Sequence, residues 1–247
     1  MARIASFHLV RERRWRWPLV LVRMVTDRRR LRRVDGLAFW RLLGTGRGAD
    51  TGPSVDLRRS ALFAVWEDER DLDAFLAGSA IVRRWAAADE AWHVRLRALG
   101  GHGSWRGVDV LAGLQVGTDD GAVAILTRAN VRVGAWVRFG RAGHPVSAEL
   151  QHASGLLGAV GIGEAPIGSL ATFSLWRGVA DVRRFARSPR HAAVVRRTRR
   201  EQWYGEELFA RLQPYGATGT WEGRNPLAPN APTSGRDPFL GGIRPEG

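Results

Sequence analysis

The chain has 247 residues, enough for one large domain or two small ones. Its 45% apolar and 25% charged residues are the proportions of a folded globular protein, not of a disordered chain or a membrane channel. The absence of cysteine excludes disulfides, thiolate metal sites, iron–sulfur clusters and a cysteine nucleophile, and the absence of lysine excludes a phosphate-loop or Schiff-base lysine. All 38 basic residues are therefore arginine, against 24 acids, and the net charge of +14 attracts acidic partners without choosing among nucleic acid, anionic lipid and an acidic electron-transfer protein.

In chain order, periodicity predicts a strand over Arg3–Val10, a helix from about Trp15, strands over Leu37–Leu43 and Ser60–Trp66, a helical segment through Asp68 to Trp92, and a strand over Val94–Leu99. From Arg11 to Arg41, eleven arginines stand against Glu12, Asp27 and Asp35 and are interleaved with Trp15, Trp17 and Trp40. That is the pattern of a solvated helix, or of one lying at an anionic membrane surface. No nucleic-acid recognition motif accompanies it, so no nucleic-acid partner is expected. No apolar run reaches the roughly 18–20 residues that span a bilayer, and the first residues lack a secretory pattern. The expected location is cytoplasmic, with peripheral contact at the inner face of the cell membrane. Gly44-Thr45-Gly46-Arg47-Gly48 is not a Gly-x-Gly-x-x-Gly fingerprint and reads as a turn.

The second part repeats the first. Strands are expected over Val123–Val131, Leu156–Gly161, Leu170–Trp176 and Leu208–Gln213. Leu62-Phe63-Ala64-Val65-Trp66 matches Thr172-Phe173-Ser174-Leu175-Trp176, and Asp71 with Phe75 matches Asp181 with Phe185, all 110 residues apart. Gly103-Ser104-Trp105-Arg106-Gly107 matches Gly219-Thr220-Trp221-Glu222-Gly223, 116 residues apart. Strand, helix, strand, strand, helical segment, strand is the order of a ferredoxin-like unit. The expected fold is α+β: ferredoxin-like repeats at 1–112 and 120–223 packed face to face as a dimeric-type α+β barrel within one chain, followed by a flexible Pro/Gly-rich tail at 224–247. Two repeats in one chain make a monomer the expected state.

Ser79 and the pair Ser188-Pro189 are helix-start signals. Ile81, Trp85, Ala88 and Trp92 form a helical inward stripe whose counterpart is His191, Val195, Thr198 and Gln202. A histidine thus stands where the first copy has an isoleucine. An imidazole there needs a partner, because a buried unpaired polar group costs about 1–3 kcal/mol. Two readings stay open: a core histidine bonded to a backbone carbonyl, or a metal or haem ligand. The zinc motif His-Glu-x-x-His and the nucleophile elbow Gly-x-Ser-x-Gly are absent. Most of the eleven tryptophans belong to a core, with a subset free to line an apolar cavity.

Phe39-Trp40 before Leu43-Gly44-x-Gly46-x-Gly48, Arg83-Arg84-Trp85-Ala86 after Ser79, Leu126-Thr127-Arg128-Ala129, Gly161-x-Gly163-Glu164, Thr172-Phe173-Ser174-x-Trp176, and His191 ahead of Trp203 and Glu207-Leu208-Phe209-Ala210-Arg211 occur in one order. In that combination the chain resembles the spheroidene monooxygenase family of carotenoid-modifying enzymes over roughly residues 2–223. The resemblance implies insertion of oxygen into an acyclic carotenoid, carried on to a ketone, with molecular oxygen and a ferredoxin-like electron donor. It implies a haem with His191 as axial ligand and Arg128 as a propionate-side or distal-side cation. Val195 and Trp203 would border the cofactor, and Phe173, Trp176, Trp136 and Phe139 would wall the substrate pocket. Arg132 to Gln151 is richer in glycine and arginine than the family pattern, which puts the substrate's shape in question. A cofactor-free barrel monooxygenase and a non-catalytic carrier of haem or an apolar ligand are the competing readings.

Overall fold

Alternation of period two builds a barrel. In β1 (Ile4–Arg11), Ala5, Phe7 and Leu9 point to one core while Ile4 and Val10 point to another. The same split recurs in β3 (Val55–Trp66), where Ala61, Phe63 and Val65 face the first core and Leu62, Ala64 and Trp66 the second. The first core is the barrel interior and the second lies under helices. The computed structural model describes residues 2–46, 55–164 and 169–229.

The element order is β1, α1 (Trp17–Leu31), β2 (Leu37–Gly46), β3, α2 (Glu69–Gly78), α3 (Ala80–Trp85) and β4 (Glu90–Gly103). It continues with β5 (Val123–Val131), α4 (Trp136–Gln151), β6 (Leu156–Glu164), β7 (Ser169–Trp176), α5 (Val179–Ala186), α6 (Pro189–Arg200) and β8 (Tyr204–Gly219). The eight strands close in the order β1-β3-β2-β6-β7-β5-β8-β4, every named pair antiparallel. Closure leaves no strand edge open to a foreign strand. The β4–β8 seam is long, whereas β2 meets β6 only at Gly44↔Gly163 and Thr45↔Ile162. The protein is an antiparallel eight-stranded β-barrel with helices packed on its outer face.

The interior is filled. Phe7 of β1 stacks on Phe173 of β7 across the barrel with ring centroids 3.9 Å apart and planes within 9°. Trp92 packs on Phe173, and Trp105 on Phe39 and Phe63. Buried aromatic rings of this size dominate core energetics. Turns at the helix-to-strand corners are tight: Gly36, at φ +70°, would place a Cβ 2.2 Å from the Asp71 carboxylate, and Gly155, at φ +82°, stands in the same relation to Asp181. Asp71 completes a capping box with Asp68 at the start of α2.

The structure corrects several expected boundaries. The helical segment does not run from Asp68 to Trp92: α3 stops at Trp85, and Trp92 lies in β4 opposite Leu9. The run Trp92-x-Val94-x-Leu96 has period two, and its burial inside the barrel outweighs the helical spacing back to Ile81. Gln202 also leaves its stripe, since α6 ends at Arg200 and Gln202 takes φ 48° in the turn to β8. Gly44-Thr45-Gly46 belongs to β2 rather than to a turn, while residues 47–54 lie outside the described residues. After β8, Asn225 accepts from the Trp92 indole N–H at 3.1 Å and Leu227 packs on the barrel core. Residues 230–247 of the expected tail lie outside the described residues.

Under α3 the outer face of the first half holds an imidazole pair, the buried His8 and the half-buried His93, with their Nδ1 atoms 3.0 Å apart. Ser6 Oγ lies 2.9 Å from His8 Nε2 and accepts from the Trp66 indole at 2.8 Å. A neutral pair shares one proton at the Nδ1 contact, whereas two imidazolium rings there would repel. Burial pushes His8 well below the usual imidazole range, with His93 and Arg95 adding to it, and burial brings His93 down to about 4. Unfolded histidines take up protons near pH 6.5 while these two do not, so stability is lost as pH falls below about 6.5. Melting temperatures should therefore already decline between about pH 6.5 and 5, above the carboxylate range. A flat profile there would show that the pair is not held neutral.

Candidate functional site

A well-formed space lies outside the barrel, between the sheet and two helices. It is a cavity of about 420 Å³, within the roughly 300–1,000 Å³ of ligand sites. Strand register lays its floor. Thr172 of β7 is opposite Thr127 of β5, Thr127 is opposite Phe209 of β8, and Phe209 is opposite His102 of β4, so one row of side chains crosses four strands. Leu170, Ala129 and Glu207 form the next row. The roof is Gly143, Val146 and Ser147 from α4, with His191, Val194, Val195, Thr198 and Arg199 from α6.

Helix α6 starts where sequence places it. Ser188 is the N-cap, its hydroxyl accepting from the His191 backbone N–H at 3.4 Å, and Pro189 fills the first helical position. His191 is half-buried, with its ring centroid 5.1 Å from that of Phe185 and its Nδ1 3.1 Å from the Ala186 carbonyl oxygen. A carbonyl only accepts, so Nδ1 carries a proton, and the tautomer this contact selects is the one with its lone pair on Nε2. Both readings of His191 made from sequence share this geometry, because a ligating histidine characteristically donates its other N–H to a backbone carbonyl.

Of the other expected site residues, Val195 lines the cavity beside His191. Arg128 borders it from β5, but its guanidinium, 2% exposed, pairs with Glu206 and lies 5.7 Å from the Trp105 ring. Burial raises the Glu206 carboxyl, but donation from Gly107, Ser104 and Arg128 outweighs it and holds the group at about 2. Trp203 is buried next to the cavity against Ala129, Val131 and Ala135, its indole donating to Glu201 at 2.9 Å. Phe173 points into the barrel interior, and Trp176 packs under α5 against Phe185 with its indole on Ser174. Trp136 and Phe139 fall on α4, with their side chains outside the described residues. Thr127, Thr172, Tyr204, Glu207 and Phe209 line the cavity and were not singled out as site residues; only strand register reveals that they share one face. Burial pushes the Tyr204 phenol up, so it stays a hydrogen-bond donor across the neutral range.

The corresponding space in the first half is nearly closed. There the register equivalents of Thr127 and Thr172 are His8 and Leu62, and the helix equivalents of His191 and Val195 are Ile81 and Trp85. These four line a space of only about 30 Å³. Among these four pairs, the exchange of the Trp85 indole for the Val195 isopropyl group is the largest change of volume.

Three spheroidene monooxygenases align with most of this chain. That of Rubrivivax gelatinosus is 36% identical over 190 residues, 76% of this chain and 73% of the relative. That of Rhodobacter capsulatus is 33% identical over 215 residues, 85% and 89%. That of Cereibacter sphaeroides is 30% identical over 227 residues, 91% and 69%. The chain belongs to the spheroidene monooxygenase family. It is an enzyme, a monooxygenase. No protein-family model matches it. Among solved structures, an aldoxime dehydratase crystallised with butyraldoxime superposes with a TM-score of 0.57 at 11% identity over 87% of this chain and 79% of its own, which shows a shared fold.

Among the described residues no group of three or more His, Asp or Glu side chains is placed to hold a metal ion. In this spheroidene monooxygenase family chain, a bare ion therefore has no ligand set in the cavity among the described residues. A cofactor that carries its own equatorial ligands needs only one axial nitrogen, and His191 fits that requirement. Phe173→Ala tests whether that ring is core or pocket. Its loss should lower stability by about 3–5 kcal/mol, read by denaturant melts. An unchanged melt with altered ligand binding would place Phe173 at the site instead.

Proposed function

We propose that the protein inserts oxygen into an acyclic carotenoid or similar apolar polyene at a haem held by His191 between α6 and the outer face of β5, β7 and β8. The observation that carries this reading is His191, the one histidine among the described residues on the roof of an otherwise largely apolar cavity, with its Nδ1 proton tied to Ala186. The kinship with spheroidene monooxygenases supports the substrate class. Haem, when bound, supplies dioxygen activation once it receives electrons from a ferredoxin-like donor. The overall balance places one oxygen atom in the substrate and the other in water, at the expense of two electrons and two protons.

The protein's own groups have separable tasks. His191 would hold the haem iron through Nε2, with its ring oriented by the Nδ1 contact to the Ala186 carbonyl. Arg199 is the cavity-lining cation on α6 and would pair with a carboxylate of the cofactor, because the Arg128 guanidinium is already engaged by Glu206. Val146, Val194, Val195, Leu170 and Phe209 keep the cavity dry and make the apolar contacts a polyene requires. The hydroxyls of Thr127 and Thr172 lie side by side on the floor and are suited to hold an oxygen-bearing group or water. His102 and Glu207, with Nε2 and Oε1 3.8 Å apart, are suited to pass protons from solvent.

We read the two halves as tandem ferredoxin-like repeats, since β4-β1-β3-β2 and β8-β5-β7-β6 repeat one strand order within the closed barrel. A chain that supplies both halves of its barrel is expected to act as a monomer.

The test is the visible spectrum of protein produced with ample haem precursor, together with oxygen-dependent product from an acyclic carotenoid. The natural protein should show a strong Soret band, and His191→Ala should lose or shift that band and lose product while melting as before. No band in either protein after haem addition would overturn the haem assignment. A band without product would leave binding without catalysis.

A further inference from the structure

A surface helix normally turns its apolar stripe inward. Helix α1 does the reverse along much of its length. Its inward face carries Val20, Met24 and Leu31, but also Arg23 paired with the buried Glu12 and Asp27 paired with Arg84 from α3. Its outward face carries Trp15 from the preceding turn, 68% exposed, then Leu19, Val22 and Val25 at 43%, 57% and 60%. These positions follow one another at spacings of four, three and three, which is one side of a helix. With Trp17 they make five of the nine large apolar side chains that are exposed among the described residues.

The charge around this stripe has one sign. Arg13 and Arg14 precede it, and Arg29, Arg32 and Arg33 follow it, all exposed, while the exposed Arg30 is paired with Asp27. The two acids between residues 12 and 33 are both buried and paired, so no exposed carboxylate offsets the arginines there. We infer that α1 with its preceding turn is a docking face for the surface of an anionic lipid bilayer. Leu19, Val22 and Val25 would sit below the headgroups, Trp15 at the boundary, and the arginines against lipid phosphates. A second copy of the chain is a poor occupant, because pairing two such faces would bring like-charged arginines together. A nucleic acid would satisfy the arginines but leave the aliphatic stripe without a partner. Among the described residues no helix is long and apolar enough to cross a membrane, so contact through α1 would be peripheral.

This inference stands on α1 alone and does not depend on the haem assignment. The test is flotation of the purified full chain with vesicles of phosphatidylcholine, alone or mixed with phosphatidylglycerol, at low and physiological salt. Binding is expected only with phosphatidylglycerol, weakening as salt rises. Trp15→Ser, Leu19→Ser and Val22→Ser combined should reduce it at least about tenfold without changing the melt, because all three are solvent-exposed. Should that variant fail to fold, Arg13→Glu, Arg14→Glu and Arg29→Glu combined decides the matter by the same loss. Failure to bind phosphatidylglycerol vesicles at low salt would overturn the proposal. So would undiminished binding of the serine variant, which would assign the attraction to net charge alone. A dimer in sedimentation that the serine variant dissolves would assign the face to a second copy.

Discussion

The barrel interior is full, and that constraint decides where a ligand can go. Phe7 on Phe173, Trp92 beside them, and Trp105 against Phe39 and Phe63 leave the inside of the eight strands as packed core. Closed ladders leave no edge for a ligand to join. What remains is the layer between the sheet's outer face and the helices, and the two halves treat that layer differently. In the first half, Ile81 and Trp85 close down on Leu62 and on the neutral His8–His93 pair. In the second, His191 and Val195 stand over Thr127 and Thr172 with about 420 Å³ between them.

The asymmetry has a cost that a purely structural half would avoid. Space left under a helix forfeits the contacts that packing supplies, by about 24 cal/mol per Å³ in deleted-side-chain cavities, and places the Thr172 hydroxyl and the His191 imidazole where Leu62 and Ile81 pack in the other half. Departures from local packing rules concentrate at functional sites. The fixed Nδ1 proton of His191 belongs to the same pattern, since it sets which nitrogen can serve as a ligand before any ligand arrives. Helix α1 carries a second departure, with charge pairs beneath it and aliphatic side chains above.

Much of the architecture was legible in sequence. The matched stretches Leu62–Trp66 and Thr172–Trp176 fall in β3 and β7, Asp71 and Asp181 each stand against a turn glycine, Gly36 and Gly155, and Ser188-Pro189 marks the start of α6 to the residue. What failed was where two periods competed. Ile81, Trp85, Ala88 and Trp92 keep a helical spacing, but Trp92 is claimed by strand pairing with Leu9, a contact 83 positions away that no local window contains. At the site, His191 and Val195 were visible because a helix repeats every three to four residues and its stripe can be compared between copies. The floor was not, because Thr172, Thr127, Phe209 and His102 come from four strands and only register aligns them. The family resemblance implied Phe173 and Trp176 as pocket walls, yet their strand positions turn one into the barrel and the other under α5.

With the haem held as proposed, the oxygen chemistry takes place outside the barrel, beneath α6. Anomalous diffraction at the iron edge from crystals of the haem-loaded protein tests this directly. One iron peak is expected between α6 and the outer face of β5 and β7, bonded to His191 Nε2. An iron peak held by any other residue, or located on the first-half face beneath α3, would contradict it.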